Sequence, residues 1–251
     1  DGAGQSVTGT AVDTHGQSAA DTVSGISIDR VDPSIVDLAS SVPNAAGWYR
    51  TNVAVAYACN DATSGVVGCP ANDVVSQEGR NVSSSARTIS DMAGNTASSN
   101  VVTVNLDKIA PSIQLSATTL PNADGWYRND VDVQFTCSDA LSGLAAPCPS
   151  ARTLALEGRN VSVSDSVSDI AGNVGSASLL INLDKTAPVL SATMPPAQVF
   201  LNASHNFNLS ATDALSGVAS QGCGAINTST LGTRTVTCTA TDAHGNTGTG
   251  T

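Results

Sequence analysis

Polar and apolar residues alternate along much of the chain. In Ser112-Ile113-Gln114-Leu115 and in Val131-Asp132-Val133-Gln134-Phe135-Thr136-Cys137 every second side chain is apolar. That period of two puts one face of each segment on a core and the other in water. Further strands are expected around Leu144, at 153–156, at 161–167 and at 179–183, and no helical period of 3.6 runs through the sequence. Gly, Asn, Asp and Pro separate these segments, so the pattern predicts an all-β chain of antiparallel β-sandwiches. The Ala-Gly-Asn sequences supply residues that tolerate positive φ in tight hairpins.

The pattern also returns at a fixed interval. Asn105-Leu106-Asp107-Lys108-Ile109-Ala110-Pro111 recurs as Asn182-Leu183-Asp184-Lys185-Thr186-Ala187-Pro188, with a looser copy at Ile28-Asp29-Arg30-Val31-Asp32-Pro33. From Asp29 to Asp107 is 78 residues and from Asp107 to Asp184 is 77. Self-similarity at that period means one small unit strung along a line. Gly47-Trp48-Tyr49-Arg50 returns at Gly125-Trp126-Tyr127-Arg128. Asp61-Ala62-Thr63-Ser64-Gly65 returns at 139–143 and 213–217, and an Asp-x-x-Gly-Asn/Gln turn stands at 13–17, 91–95, 169–173 and 242–246. The expected domains are a partial repeat over 1–29, whole repeats over 30–108 and 109–186, and a further repeat over 187–251, both ends reading as cuts. Residues before Asp29 are too few to form a core alone.

Composition narrows the function. Charged residues make up 12% and aromatics 3% of the 251, and Ser, Thr, Ala, Val and Gly crowd the sequence, as in short strands with small side chains. A formal net charge of −11 argues against nucleic acid, whose affinity comes from Lys and Arg on phosphates, and against an anionic membrane surface. No apolar run is long enough to cross a membrane as a helix. The six cysteines fall two per repeat, Cys59 and Cys69, Cys137 and Cys148, Cys223 and Cys238, as disulfide staples formed in an oxidising compartment would. In the last repeat Ala211 replaces the first cysteine and the partner moves to Cys238, a change that a staple across a small core survives and a metal site does not.

The Gly-Trp-Tyr-Arg segment, the Cys-Ser-Asp-Ala-Leu-Ser-Gly turn, the Asp-x-Ala-Gly-Asn hairpin and the Leu-Asp-Lys-x-Ala-Pro joint resemble the bacterial immunoglobulin-like (Big-type) tandem repeats of large secreted or surface proteins. The last repeat, with 232–242 reading Gly-Thr-Arg-Thr-Val-Thr-Cys-Thr-Ala-Thr-Asp, is closer to hyalin-repeat modules. The resemblance covers nearly the whole chain. It implies immunoglobulin-like sandwiches in a linear array, outside the cell or on its surface, serving as a spacer or in adhesion, with calcium at the joints in some members.

Immunoglobulin strand order would bring each joint and the two turns of the following repeat to one pole. That gathers Asp29, Asp61 and Asp91 with Asn95; Asp107, Asp139 and Asp169 with Asn173; and Asp184, Asp213 and Asp242 with Asn246. Two readings fit. Carboxylates brought together repel unless neutralised, and Asp, Asn and backbone carbonyls are the hard oxygen ligands that calcium takes. Alternatively, each Asp only hydrogen-bonds its own turn, with Arg30, Lys108 and Lys185 beside the joint carboxylates as counter-ions. Six residues separate Leu106 from Ile113, one of them Pro, so neighbouring poles must lie close, and a shared ion would make the array stiff.

Trp48 and Trp126 read as plugs closing the core end opposite the acidic pole rather than as sugar platforms, since Phe200 stands at the matching place in the last repeat. His15 and His244 find no histidine in the sister turns at 91–95 and 169–173, which speaks against a shared role. No nucleophile beside a base, no cleft carboxylate pair and no phosphate loop is visible, so no enzymatic activity is expected. Two roles remain: a structural or adhesive array acting as stalk, spacer or fibre component, whose partners are neighbouring repeats, or an accessory module binding a surface glycan or protein receptor.

Overall fold

The computed structural model describes residues 1–193, 200–205 and 207–251. Among these every regular element is a strand, and no helix long and apolar enough to cross a membrane is present. The chain begins with a hairpin of β1 (Gly2–Val12) and β2 (Ser18–Ile28), paired antiparallel around a tip at 13–17. Not one of its residues is fully buried, as expected of a segment with no core of its own.

The next repeat contains β3 (Ser34–Ala39), β4 (Trp48–Tyr49), β5 (Val53–Asn60), β6 (Asp73–Val75), β7 (Gly79–Ser83), β8 (Thr88–Ser90), β9 (Thr96–Ser98) and β10 (Thr103–Leu106). One sheet has the antiparallel order β3-β5-β6, a second has the order β4-β10-β7, in which β4 runs parallel to β10, and β8 and β9 form a two-stranded sheet of their own. Val53, Val55 and Val75 from the first sheet meet Val104 and Leu106 from the second in one buried cluster, so the two sheets form a sandwich. β-Branched residues on a pleated, half-buried surface account for that choice of side chains.

The third repeat keeps the plan with β11 (Ser112–Ala117), β12 (Trp126–Tyr127), β13 (Val131–Ser138), β14 (Arg152–Leu154), β15 (Gly158–Ser168) and β16 (Val174–Leu183). Along β13, Val131, Val133 and Phe135 are buried and the residues between them exposed, which is the period-two pattern of the sequence. The strand expected around Leu144 is a single bridge to Asp169. The loop that follows it is tied to β13 by the Cys137–Cys148 bond; the glycine before it, Gly143 at φ 88°, has its counterpart in Gly217 at φ 84°, which a full strand follows in the last repeat. Gly175 is required by close approach: a Cβ there would stand 1.9 Å from the carbonyl oxygen of Pro111.

The last repeat holds β17 (Val189–Thr193), β18 (Asn208–Thr212), β19 (Val218–Cys223), β20 (Cys238–Asp242) and β21 (Thr247–Gly250), in sheets β17-β18 and β19-β20-β21. Here the single bridge has grown into a strand, and Cys223 lies directly opposite Cys238 on adjacent strands. The moved disulfide therefore ties two neighbours within one sheet; it does not cross the core as expected. Cys59–Cys69 and Cys137–Cys148 each join a strand to the loop that follows.

The chain divides into two compact units: Asp1–Ala110 with Asp139–Ala145 and Ser168–Asn173, and Pro111–Ser138 with Ala146–Val167 and Val174–Thr251. The main break, between Ala110 and Pro111, falls beside the Asp107 joint. Two turns of the third repeat cluster with the sandwich before it, so the Asp107 joint and both turns that meet it belong to one unit.

Candidate functional site

Each joint is built from three short segments. The joint Asp follows the last strand of a sandwich, its N–H donating to the carbonyl of the tyrosine in the short parallel strand: Asp107 to Tyr49 and Asp184 to Tyr127, both at 2.9 Å. The second segment is the Asp-Ala-x-Ser-Gly turn. There the Asp Oδ1 accepts backbone N–H groups within its own turn, from Thr63, Ser64 and Gly65 on Asp61, from Leu141 and Gly143 on Asp139, and from Leu215, Ser216 and Gly217 on Asp213. The third is the hairpin tip, whose leading Asp Oδ1 accepts the N–H four residues on, from Asn95, Asn173 or Asn246. Gly172, at φ 95°, supplies the left-handed residue that this tight tip needs.

Cross-links fix the three segments against one another. The second oxygen of the joint Asp accepts the serine N–H of the turn: Asp29 from Ser64 at 3.1 Å, Asp107 from Ser142 at 2.9 Å, Asp184 from Ser216 at 3.0 Å. The N–H after the tip Asp donates to the turn glycine's carbonyl, in Met92 to Gly65, Ile170 to Gly143 and Ala243 to Gly217. Each asparagine donates Nδ2 to the tip Asp and to the joint backbone: Asn95 to Asp91 and Asp29, Asn173 to Asp169 and Asp107, Asn246 to Asp242 and Asp184. Expected as ligands, Asn95, Asn173 and Asn246 here act as straps that present nitrogen, not oxygen, to the carboxylates.

The outcome is three groups of carboxylates, Asp29/Asp61/Asp91, Asp107/Asp139/Asp169 and Asp184/Asp213/Asp242, each offering one oxygen per residue within 4.8 Å of the others. Asp91, Asp107, Asp169, Asp184 and Asp242 are buried. The Ser64 side chain, then the N–H of Val31, hold Asp29 below the usual carboxylate range. The cations expected beside them are engaged elsewhere. Lys108 Nζ donates to Asn52 and to the Ser76 carbonyl, Lys185 Nζ to Asp130 and the Ala155 carbonyl, and Arg30 lies 3.9 Å from Asp1. Among the described residues no salt bridge reaches any of the three groups.

A hard divalent cation fits this donor set: three carboxylate oxygens converge in a buried place with no protein charge to balance them. Oδ2 of Asp61, Asp139 and Asp213 lies outside the hydrogen-bond network just described, so each group keeps an oxygen that no backbone N–H claims. The other oxygens are already held in position by N–H donors, which orients the carboxylates in advance.

At its opposite end each sandwich presents a groove. Trp48 and Trp126 are 4% and 7% exposed, too deeply set to stack a sugar ring and consistent with plugs. Arg80 and Arg159 lie over their rings, each 4.8 Å from the centroid. The groove at Trp48, about 420 Å³, is also lined by Asn44, Arg50, Ala171 and Gly172; that at Trp126, about 410 Å³, by Asn122, Arg128 and His244. His244, at the place of Ala171, stacks on Trp126 with centroids 4.8 Å apart.

No protein-family model and no curated protein matches the chain. Among solved structures, a tetra-tandem repeat in the extending region of a large adhesion protein aligns over 98% of this chain and 80% of its own, at 16% identity and TM-score 0.31. A Ca2+-stabilized adhesin that helps an Antarctic bacterium reach out and bind ice aligns over 99% and 80%, at 16% identity and TM-score 0.27. Superpositions that loose fix neither fold nor role, which rest on this chain's own residues.

Sequence reasoning did not single out Asn44, Asn122, Arg80 and Arg159. Their signal was present: Pro-Asn precedes both Gly-Trp-Tyr-Arg segments, and Glu-Gly-Arg-Asn occurs at 78–81 and again at 157–160.

Proposed function

We propose that this chain is part of an extracellular structural or adhesive array, a stalk, spacer or fibre component of immunoglobulin-like repeats, whose joints bind calcium. One observation carries the reading. The same three carboxylates meet within 4.8 Å at every joint, mostly buried, and the lysines and arginine next to them in sequence point elsewhere. Asp29, Asp61 and Asp91 would hold one ion, Asp107, Asp139 and Asp169 a second, Asp184, Asp213 and Asp242 a third. The ion supplies positive charge that lets three segments from two repeats stay together. No step of chemistry is involved, and the proposed role is not enzymatic.

Calcium modules outside cells bind with dissociation constants of about 10⁻⁴–10⁻³ M, so such joints fill in an extracellular medium and empty inside a cell. By mass action, millimolar calcium then stabilises the folded chain by about 0.4–1.4 kcal/mol per site. Thermal melts in millimolar calcium and in excess chelator test this. The reading predicts a melting temperature several degrees higher with calcium, and a difference reduced by Asp107→Asn with Asp184→Asn to what the Asp29 site contributes. Identical melts with and without chelator would overturn it, leaving the aspartates as turn formers.

A further inference from the structure

The groove beneath each tryptophan holds a set of contacts that the acidic groups do not explain. Asn44 uses Oδ1 to accept the N–H groups of Ala46 and Trp48, both at 3.0 Å, which closes its own turn and fixes the amide. Its Nδ2 then points outward and donates to the carbonyl of Ile170 at 2.7 Å, the second residue of a hairpin tip. Asn122 repeats this, accepting from Asp124 and Trp126 and donating to the carbonyl of Ala243 at 3.0 Å, again the second tip residue. The arginine over the tryptophan reaches the other turn of the following repeat: Arg80 donates to the carbonyl of Leu141 at 3.0 Å and Arg159 to that of Leu215 at 2.8 Å. Arg50 adds a bond to the carbonyl of Gly172 at 3.2 Å.

We propose that this groove is a socket for the hairpin tip of a following repeat, read through main-chain carbonyls and independent of any bound ion. Main-chain carbonyls are the contact common to both sockets, where the tip side chains differ: Ile170 and Ala171 at one, Ala243 and His244 at the other, where Asn122 Nδ2 also lies 2.7 Å from Nδ1 of His244, whose ring stacks on Trp126. The five donors are neutral or cationic, in contrast to the acidic group a few residues away, and their targets are carbonyl oxygens. Each tip thus has a carboxylate side requiring a cation and a carbonyl side that the protein satisfies itself. The tip at 13–17 keeps the same internal bonds, Asp13 N–H to the Gln17 carbonyl at 2.8 Å and Gln17 N–H to Asp13 Oδ1 at 2.9 Å. It therefore has the form that a socket of another repeat, bearing Asn-x-x-Gly-Trp-Tyr-Arg, would accept.

The test uses the full chain in excess chelator, with Trp48→Phe so that Trp126 is the only tryptophan, and follows quenching of Trp126 by acrylamide. Asn122→Asp keeps the oxygen that closes the turn but turns an acceptor toward the Ala243 carbonyl; Arg159→Met keeps a long apolar stem over the ring. Combined, these changes are expected to raise the quenching constant at least twofold. Ala243→Ile, which copies the tip residue of the other socket, is expected to leave it unchanged. An unchanged constant in the double variant, or a rise with Ala243→Ile as large as with Asn122→Asp, would overturn the proposal. Because chelator is present throughout, a joint that binds no calcium leaves this outcome untouched.

Discussion

The joints at Asp29 and Asp107 contain the same three carboxylates, the same turns and the same cross-links, yet they differ in burial. At the first only Asp91 is buried, while Asp29 and Asp61 keep partial exposure; at the second Asp107 and Asp169 are both buried. What stands behind them differs too. Asp29 follows the hairpin of β1 and β2, with Ala3 where later repeats have Arg80 and Arg159. Asp107 ends a complete sandwich. The same turns and cross-links therefore assemble the carboxylate group at both joints, and what separates the two is burial. Burial matters because attraction between a cation and a carboxylate strengthens as water is excluded, and so does the cost of leaving carboxylates together unneutralised.

The largest effect that would break this comparison is loss of the plug. Trp48→Ala should destabilise its repeat by about 3–5 kcal/mol in denaturant melts, as truncation of a core aromatic does. The loss should spread to the Asp107 joint and spare the Asp29 joint. Equal weakening of both joints would mean that the sandwich is not what separates them. Opening the Cys59–Cys69 bond with Cys59→Ser and Cys69→Ser should cost about 2–3 kcal/mol, the loop-entropy value for so short a closure. That disulfide serves the second repeat as a whole, so calcium dependence should survive.

Finer changes sharpen the contrast. Asp107→Ala removes the acceptor of the Ser142 N–H in a buried place and is expected to cost about 1–3 kcal/mol, with Asp29→Ala at the lower end or below, because Asp29 is partly exposed and the Ser64 N–H keeps Asp61 Oδ1 as an acceptor. Comparable losses at both positions would show burial to be irrelevant. Smallest of all is Lys108→Ala, at under about 1 kcal/mol with calcium response unchanged, since its ammonium serves Asn52 and Ser76 and not the carboxylates. A strong loss of calcium response in that variant would restore lysine as the counter-ion.

Much of this was legible in the sequence. Period-two patterning in 131–137 appears directly as alternating burial in β13, and the 78- and 77-residue spacing places each joint. The carboxylate triplets could be read because recurrence at one beat implies a shared place in the fold. The strand around Leu144 could not, since its extent depends on where a disulfide ties the loop. Nor could the strap role of the asparagines, which depends on the amide's orientation and leaves no trace in residue type. The path of Cys223–Cys238 was hidden for a similar reason: moving a cysteine reveals a new partner strand, not whether that strand lies across the core or beside it. The sockets were missed because Asn44, Asn122, Arg80 and Arg159 stand outside the most conspicuous repeated words and their shared targets are backbone carbonyls, which no side-chain pattern reports.

Calcium titration of the intact chain, followed by competition with a chromophoric chelator, tests the central claim most directly. The account predicts three bound ions, two at the buried joints of Asp107 and Asp184 with dissociation constants of about 10⁻⁴–10⁻³ M and a weaker one at Asp29. Asp107→Asn with Asp184→Asn should remove the tighter two. No uptake at millimolar calcium, or uptake unaltered in that double variant, would contradict it.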